Sequence, residues 1–301
     1  MPVWVAISLI AAFAQATRFM IQKQLSVSTL SPVGATFARF LYSAPLVVVL
    51  VALYISATDQ PLPHLAPGFW VYALCGATAQ IVATVCTIAL FKRRNFAVGV
   101  TFTKTEVLFS VLVGFVVLSD QISVLGMAMI LNGLTGVLIL SKSDLNRQGG
   151  FLNVSTALGL SAGFLFAVSA VNYRGAALSL ESGDFVVRGM VTLACVTTAQ
   201  TLMLVGYLYW REKGEVGRVL ASWRQSGLVG LTSMIGSAGW FMAFALQSAA
   251  YVKAVGQVEV LFSLAIGAIV FRERINKREA FGICLIVFSI VLLVLDSELG
   301  R

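Results

Sequence analysis

Two glutamates, Glu106 and Glu259, stand 153 residues apart in oily sequence, and each begins the same pattern. TEVLFSVLVGFVVLSDQI (105–122) and VEVLFSLAIGAIVFRERI (258–275) are identical at eight of eighteen positions without a gap. Ser110/Ser263, Gly114/Gly267, Asp120/Glu273 and Ile122/Ile275 fall in register, which shared aliphatic composition would rarely produce. Each glutamate lies about ten residues, or ~15 Å, into an apolar run. An ionised carboxylate at that depth in lipid costs several kcal/mol unless a cation or water meets it. Arg39 and Arg188, 149 residues apart, lie early in the second apolar run of each half and are the expected partners, Arg39 for Glu106 and Arg188 for Glu259. The same carboxylates can instead face a cavity and take a proton or a substrate ammonium. Both roles stay open.

The elements that must position these charges follow from composition. Of 301 residues, 58% are hydrophobic and 11% charged, with a mean hydropathy of +0.91. A soluble domain carries roughly a quarter charged residues, so the partner of this surface is the lipid bilayer. At about 20 residues per crossing, the chain reads as an all-α polytopic membrane protein with ten transmembrane helices. They are placed near 3–24, 33–56, 68–91, 96–118, 122–140, 152–176, 185–209, 226–248, 251–271 and 279–296. Connections are short, leaving no room for a soluble catalytic domain. The longest, WREKGEVGRVLASWRQSG, suits either a linker or a short interfacial helix with Trp210 and Trp223 at headgroup level.

The duplication spans half the chain, so residues 1–148 and 149–301 are expected as two five-helix repeats. Five is odd, which turns the second repeat upside down relative to the first. Inverted repeats are characteristic of transporters whose substrate site lies at the repeat interface near the midplane. Seventeen of the twenty-one Lys and Arg fall in or beside the odd-numbered loops. The positive-inside rule then puts those loops in the cytoplasm and both termini outside. The +8 charge is thereby explained as topology, without nucleic acid.

Ten runs in two halves, each with a fourth run of the form EVLFSxxxGxxVxx(D/E)xI, resemble the EamA family of the drug/metabolite transporter superfamily. The endings Asp120-Gln-Ile122 and Glu273-Arg-Ile275 are similar to that family's acidic junction after the fourth helix. The resemblance implies a multi-pass carrier of the cell inner membrane, often an exporter of amino acids or other small metabolites, with no cofactor. It also implies cytoplasmic termini, opposite to the charge count, and both orientations stand as readings.

A site shared by both halves should be lined from the first, third and fourth helices and their counterparts. Gln15, Arg18, Gln80, Glu106, Trp240, Gln257 and Glu259 are the substrate-binding candidates on those helices. Stranding an amide in lipid is costly, which singles out the glutamines. Ser233, Ser237 and Thr84 suit helix packing as well, Gln200 is a further polar residue deep in a run, and Tyr173 is a further aromatic candidate. Six basic residues in or bordering the runs (Arg18, Arg39, Lys104, Arg174, Arg188, Lys253) outnumber the two deep acids, which favours a substrate with a carboxylate, and Arg18 is the residue expected to hold it. Protons are a candidate coupling ion, and a monomer or weak dimer is expected. Efflux of cationic drugs is the alternative function; an embedded enzyme or a channel fits less well. One histidine, His64, in a proline-rich loop, and four cysteines scattered in apolar runs give no metal-ligand or disulfide spacing.

Overall fold

The computed structural model describes residues 1–93, 103–145, 154–271 and 277–299. Every regular element among these residues is a helix. Lipid imposes this, because a helix satisfies its backbone groups within its own segment. The elements are α1 (Val3–Ser28), α2 (Pro32–Thr58), α3 (Pro67–Arg93), α4 (Glu106–Leu118), α5 (Val124–Leu145) and α6 (Val154–Leu178). They continue with α7 (Phe185–Arg211), α8 (Glu215–Ala221), α9 (Trp223–Leu246), α10 (Ala249–Val255), α11 (Val258–Phe271) and α12 (Lys277–Leu299). α1, α2, α3, α6, α7 and α9 are long and apolar enough to cross a membrane. Shorter apolar stretches occupy Glu106–Leu118, Val124–Ile139 and Phe281–Ser297. Of the ten expected spans, six are therefore full crossing helices within the described residues.

The fourth run of each half departs from expectation. In place of continuous helices over 96–118 and 251–271, α4 starts at Glu106 after a turn at Lys104 and Thr105. In the second half α10 stops at Val255 and α11 begins at Val258, with Gly256 and Gln257 in the turn between them. Both breaks fall beside the glutamates, and Glu106 and Glu259 occupy the first turns of α4 and α11. A buried carboxylate is better placed there than in a helix interior. The first turn offers unsatisfied N–H groups and the positive end of the helix dipole. Gly163 of α6 allows close packing on the first break. A methyl group there would overlap Thr105 Oγ1 and lie 3.2 Å from the Glu106 amide nitrogen.

The packing partners repeat when the halves are exchanged. α3 packs on α6 as α1 packs on α9, and α4 packs on α6 as α1 packs on α11. α2 meets α9 as α7 meets α3, while α2 with α7 and α5 with α12 pair across the exchange. The largest apolar core lies toward the face where α1 begins, the terminal face, and joins Trp4, Phe69, Tyr173, Leu180, Phe241 and Val252. A second core near the opposite face joins Leu25, Phe37, Phe40, Leu208, Val219 and Val229.

Matching caps fix α2 and α7 at opposite faces. Ser31 Oγ accepts from the Gly34 amide at 2.9 Å, and Asp184 Oδ1 accepts from the Val187 amide at 2.8 Å; each satisfies an open donor of a first turn. Each cap is bound again from the other half. Glu215 Oε1 accepts from the Ser31 amide at 2.6 Å and Glu212 Oε2 from Ser31 Oγ at 2.5 Å. Tyr54 donates to Asp184 Oδ2 at 2.8 Å, and the Asp184 amide donates to Gln60 Oε1 at 3.1 Å. Glu215 starts α8, the short helix in the longest polar connection, with Trp210 and Trp223 exposed beside it.

Candidate functional site: a crossed charge lattice beside a cavity

The buried carboxylates do not pair as the arginine spacing suggested. Lys253 Nζ donates to Glu106 Oε2 at 3.0 Å, and Lys104 Nζ lies 3.8 Å from Glu106 Oε1. Lys104 also donates to Glu259 Oε2, which accepts a further bond from Gln15 Nε2 at 2.8 Å. Each lysine thus reaches across to the glutamate of the other half, and all four charged side chains are at least nine-tenths buried.

Arg39 instead donates from Nε to Ser233 Oγ at 2.8 Å, from Nη1 to Thr84 Oγ1 at 3.3 Å and from Nη2 to Ser237 Oγ at 3.1 Å. Arg188 makes no ion pair among the described residues, and its buried Nε has no hydrogen-bond partner there. The correction has a register cause. Equivalence of the two arginines was read at a spacing of 149, but the capping residues Ser31 and Asp184 are 153 apart. Measured from its cap, Arg39 lies one turn deeper than Arg188. The breaks also free flexible lysine stems at Lys104 and beside Lys253 to reach the carboxylates first.

A narrow cavity adjoins the lattice, with room for about one water molecule. Its polar lining is Gln15, Gln80, Ser169, Tyr173, Ser237 and Lys253, and its apolar lining is Phe166, Ala170, Trp240, Phe241 and Phe244. Trp240 Nε1 donates to Gln15 Oε1 at 3.0 Å, which fixes the Gln15 amide with its nitrogen toward Glu259. The Lys253 ammonium lies 5.1 Å from the Trp240 ring centre, within cation–π range. Tyr173 stacks on Phe241 with centroids 4.3 Å apart.

Three of the seven substrate-binding candidates, Gln15, Gln80 and Trp240, line the cavity, and Glu106 and Glu259 adjoin it through Lys253 and Gln15. Arg18 and Gln257 stand apart. Arg18 is 2% exposed and donates to Gln22 Oε1 at 3.3 Å, while Gln22 in turn donates to the Ala35 carbonyl. Gln257 is buried in the turn between α10 and α11, against Gly133 of α5. Its side-chain amide has no hydrogen-bond partner among the described residues. Sequence reasoning missed Lys104 and Lys253 as lattice members. The usable signal was their position two and six residues before the repeated glutamates.

Gln200 Nε2 donates to the Ala77 carbonyl at 3.2 Å, which orients that amide without ambiguity. The same nitrogen donates to Gln80 Oε1 at 3.1 Å, and Tyr173 lies 2.8 Å from that oxygen. Gln80 therefore has its carbonyl engaged and its NH2 group left to donate.

Long apolar helices suited to a lipid solvent, with breaks at two buried glutamates beside a small cavity, mark an integral membrane protein. The sequence profile of the EamA-like transporter family matches residues 2–142 and again 153–295, and the chain belongs to that family, a family of transporters rather than enzymes. A solved crystal structure shares the fold at 15% sequence identity with a TM-score of 0.73, covering 99% of this chain and 98% of that one. No curated protein matches the sequence.

Proposed function

We propose that the chain is a secondary carrier that exports small metabolites, amino acids or organic anions, by alternating access between two inverted five-helix repeats. The observation that carries this reading is the crossed lattice: Lys253–Glu106 and Lys104–Glu259 join the two family-matched stretches beside the cavity. Such bonds hold one arrangement of the halves and re-form in another, which is what a carrier needs at its centre.

The terminal face is tied shut by bonds of its own, as Glu212 and Glu215 tie Ser31 at the opposite face. Arg174 donates to Asp120 Oδ2 at 3.2 Å and to the Phe244 carbonyl at 2.9 Å. Asp296 Oδ2 accepts from Tyr251 and from Ser123, each at 2.6 Å. With the basic residues biased to the opposite face, we assign the termini to the outside of the inner membrane and this state to a closed outer gate. Protonation of Glu106 or Glu259 would loosen the lattice, which makes a proton gradient the natural coupling source. Cationic drug efflux fits less well, since the charged side chain lining the cavity among the described residues is that of Lys253.

The test is reconstitution into liposomes and counterflow with a panel of amino acids, organic anions and quaternary amines. Saturable, protein-dependent exchange of a small metabolite is expected, accelerated by an imposed pH gradient. An unsaturable leak, or no flux of any solute, would reject the carrier.

A further inference from the structure

We infer that the cavity holds the anionic group of its solute on the Ser237 hydroxyl and the Gln80 amide, with Arg39 as the counter-charge behind them. This rests on the carrier reading and deepens it by naming the substrate class, small carboxylates or chemically similar anions.

Charge balance is the first support. Lys104 and Lys253 are matched by Glu106 and Glu259. Among the described residues Arg39 has no such match: it is 3% exposed, and its three hydrogen bonds there all end on hydroxyls of Ser233, Thr84 and Ser237. A buried guanidinium held only by neutral groups retains its demand for an anion. Its nearest route to one is the cavity, because Ser237 both accepts from Arg39 Nη2 and lines the cavity wall.

The second support is independent of charge and comes from hydrogen-bond direction. A serine oxygen that accepts from a guanidinium keeps its own proton to donate, and the neighbouring cation polarises that donor. Gln80, which lines the cavity, is oriented by the Ala77 carbonyl through Gln200, so its carbonyl is engaged and its NH2 is left to donate. Lys253 adds three further N–H donors, one of them on Glu106. Ser237, Gln80 and Lys253 thus offer donors to a solute, while Ser169, whose own proton goes to the Phe166 carbonyl, offers an acceptor. Carboxylate oxygens, which only accept, fit the donors of Ser237, Gln80 and Lys253. The cavity, which here has room for about one water, must widen to admit a solute, and Trp240, Phe241 and Phe244 then provide an apolar surface for the rest of it.

The experiment measures thermal stability of the purified full-length protein in detergent against benzoate, benzamide and benzyltrimethylammonium, which share a ring and differ in charge. Benzoate should stabilise saturably, and the neutral and cationic compounds should not. Ser237→Ala and Arg39→Gln should each weaken the half-saturating benzoate concentration about tenfold or more, the loss of one charge-assisted bond. Arg39→Lys, which keeps the charge, should recover part of it, whereas a purely structural role for Arg39 would leave benzoate affinity unchanged in every folded variant. If Arg39→Gln does not fold, Ser237→Ala decides alone. Stabilisation by the cation, or benzoate binding indifferent to Ser237→Ala, overturns the assignment. So does the absence of any benzoate effect in protein that still exchanges solutes in liposomes, an outcome that leaves the carrier standing.

Discussion

Lys253 Nζ lies 3.0 Å from Glu106 Oε2, and this bond runs from the second family-matched stretch to the first. A pairing confined to one half would only stiffen that half. One that crosses makes the relative position of the halves depend on two buried charges. Breaking a buried pair by removing one partner typically costs about 3–5 kcal/mol.

Glu106→Gln should therefore lower unfolding stability in detergent by about that amount. Adding Lys253→Gln should return part of the loss, and adding Arg39→Gln should return none. Rescue by Arg39→Gln instead would restore the pairing that the arginine spacing suggested.

The cap on α2 gives a second prediction. Glu215 is fully buried and accepts from the Ser31 amide, and a methyl on Gly34 would overlap its carboxylate. Glu215→Ala should cost about 1–3 kcal/mol, the penalty of leaving a buried donor unsatisfied. Gly34→Ala should displace α8 and speed amide exchange at residues 31–35. Unchanged exchange in both variants would mean that α8 is merely resting on α2.

Much of this was legible before any coordinates. The lipid solvent, the helical class and the twofold repetition follow from composition and from an eighteen-residue self-match. The polar wall was legible in part, since Gln15, Gln80 and Trp240 are costly in lipid and do line the cavity. The ion pairs were not. Their register depends on where helix caps fall, and a four-residue error moved Arg188 one turn in depth. Helix interruption was hidden as well, because runs such as YVKAVGQVEVLF keep an apolar average through the break. Lys253 read as a border residue for the same reason, although its ammonium sits among Trp240, Phe166 and Phe244.

Orientation is open to a direct chemical check. Cysteines introduced at each terminus and in the 272–278 connection should divide under an impermeant maleimide applied to intact cells. The termini are expected to label and the connection to stay silent. The reverse pattern would put the closed gate on the cytoplasmic side and reverse the proposed state.

The central claim is that one cavity serves both sides of the membrane. Ser169 lies on its wall and is 2% exposed, so a cysteine there reports access. With Cys75, Cys86, Cys195 and Cys284 replaced, Ser169→Cys protein would be reconstituted and treated with a small impermeant thiol reagent from either face. The account predicts labelling from both faces, with the ratio shifted by a transported solute. Labelling from one face under every condition would contradict it.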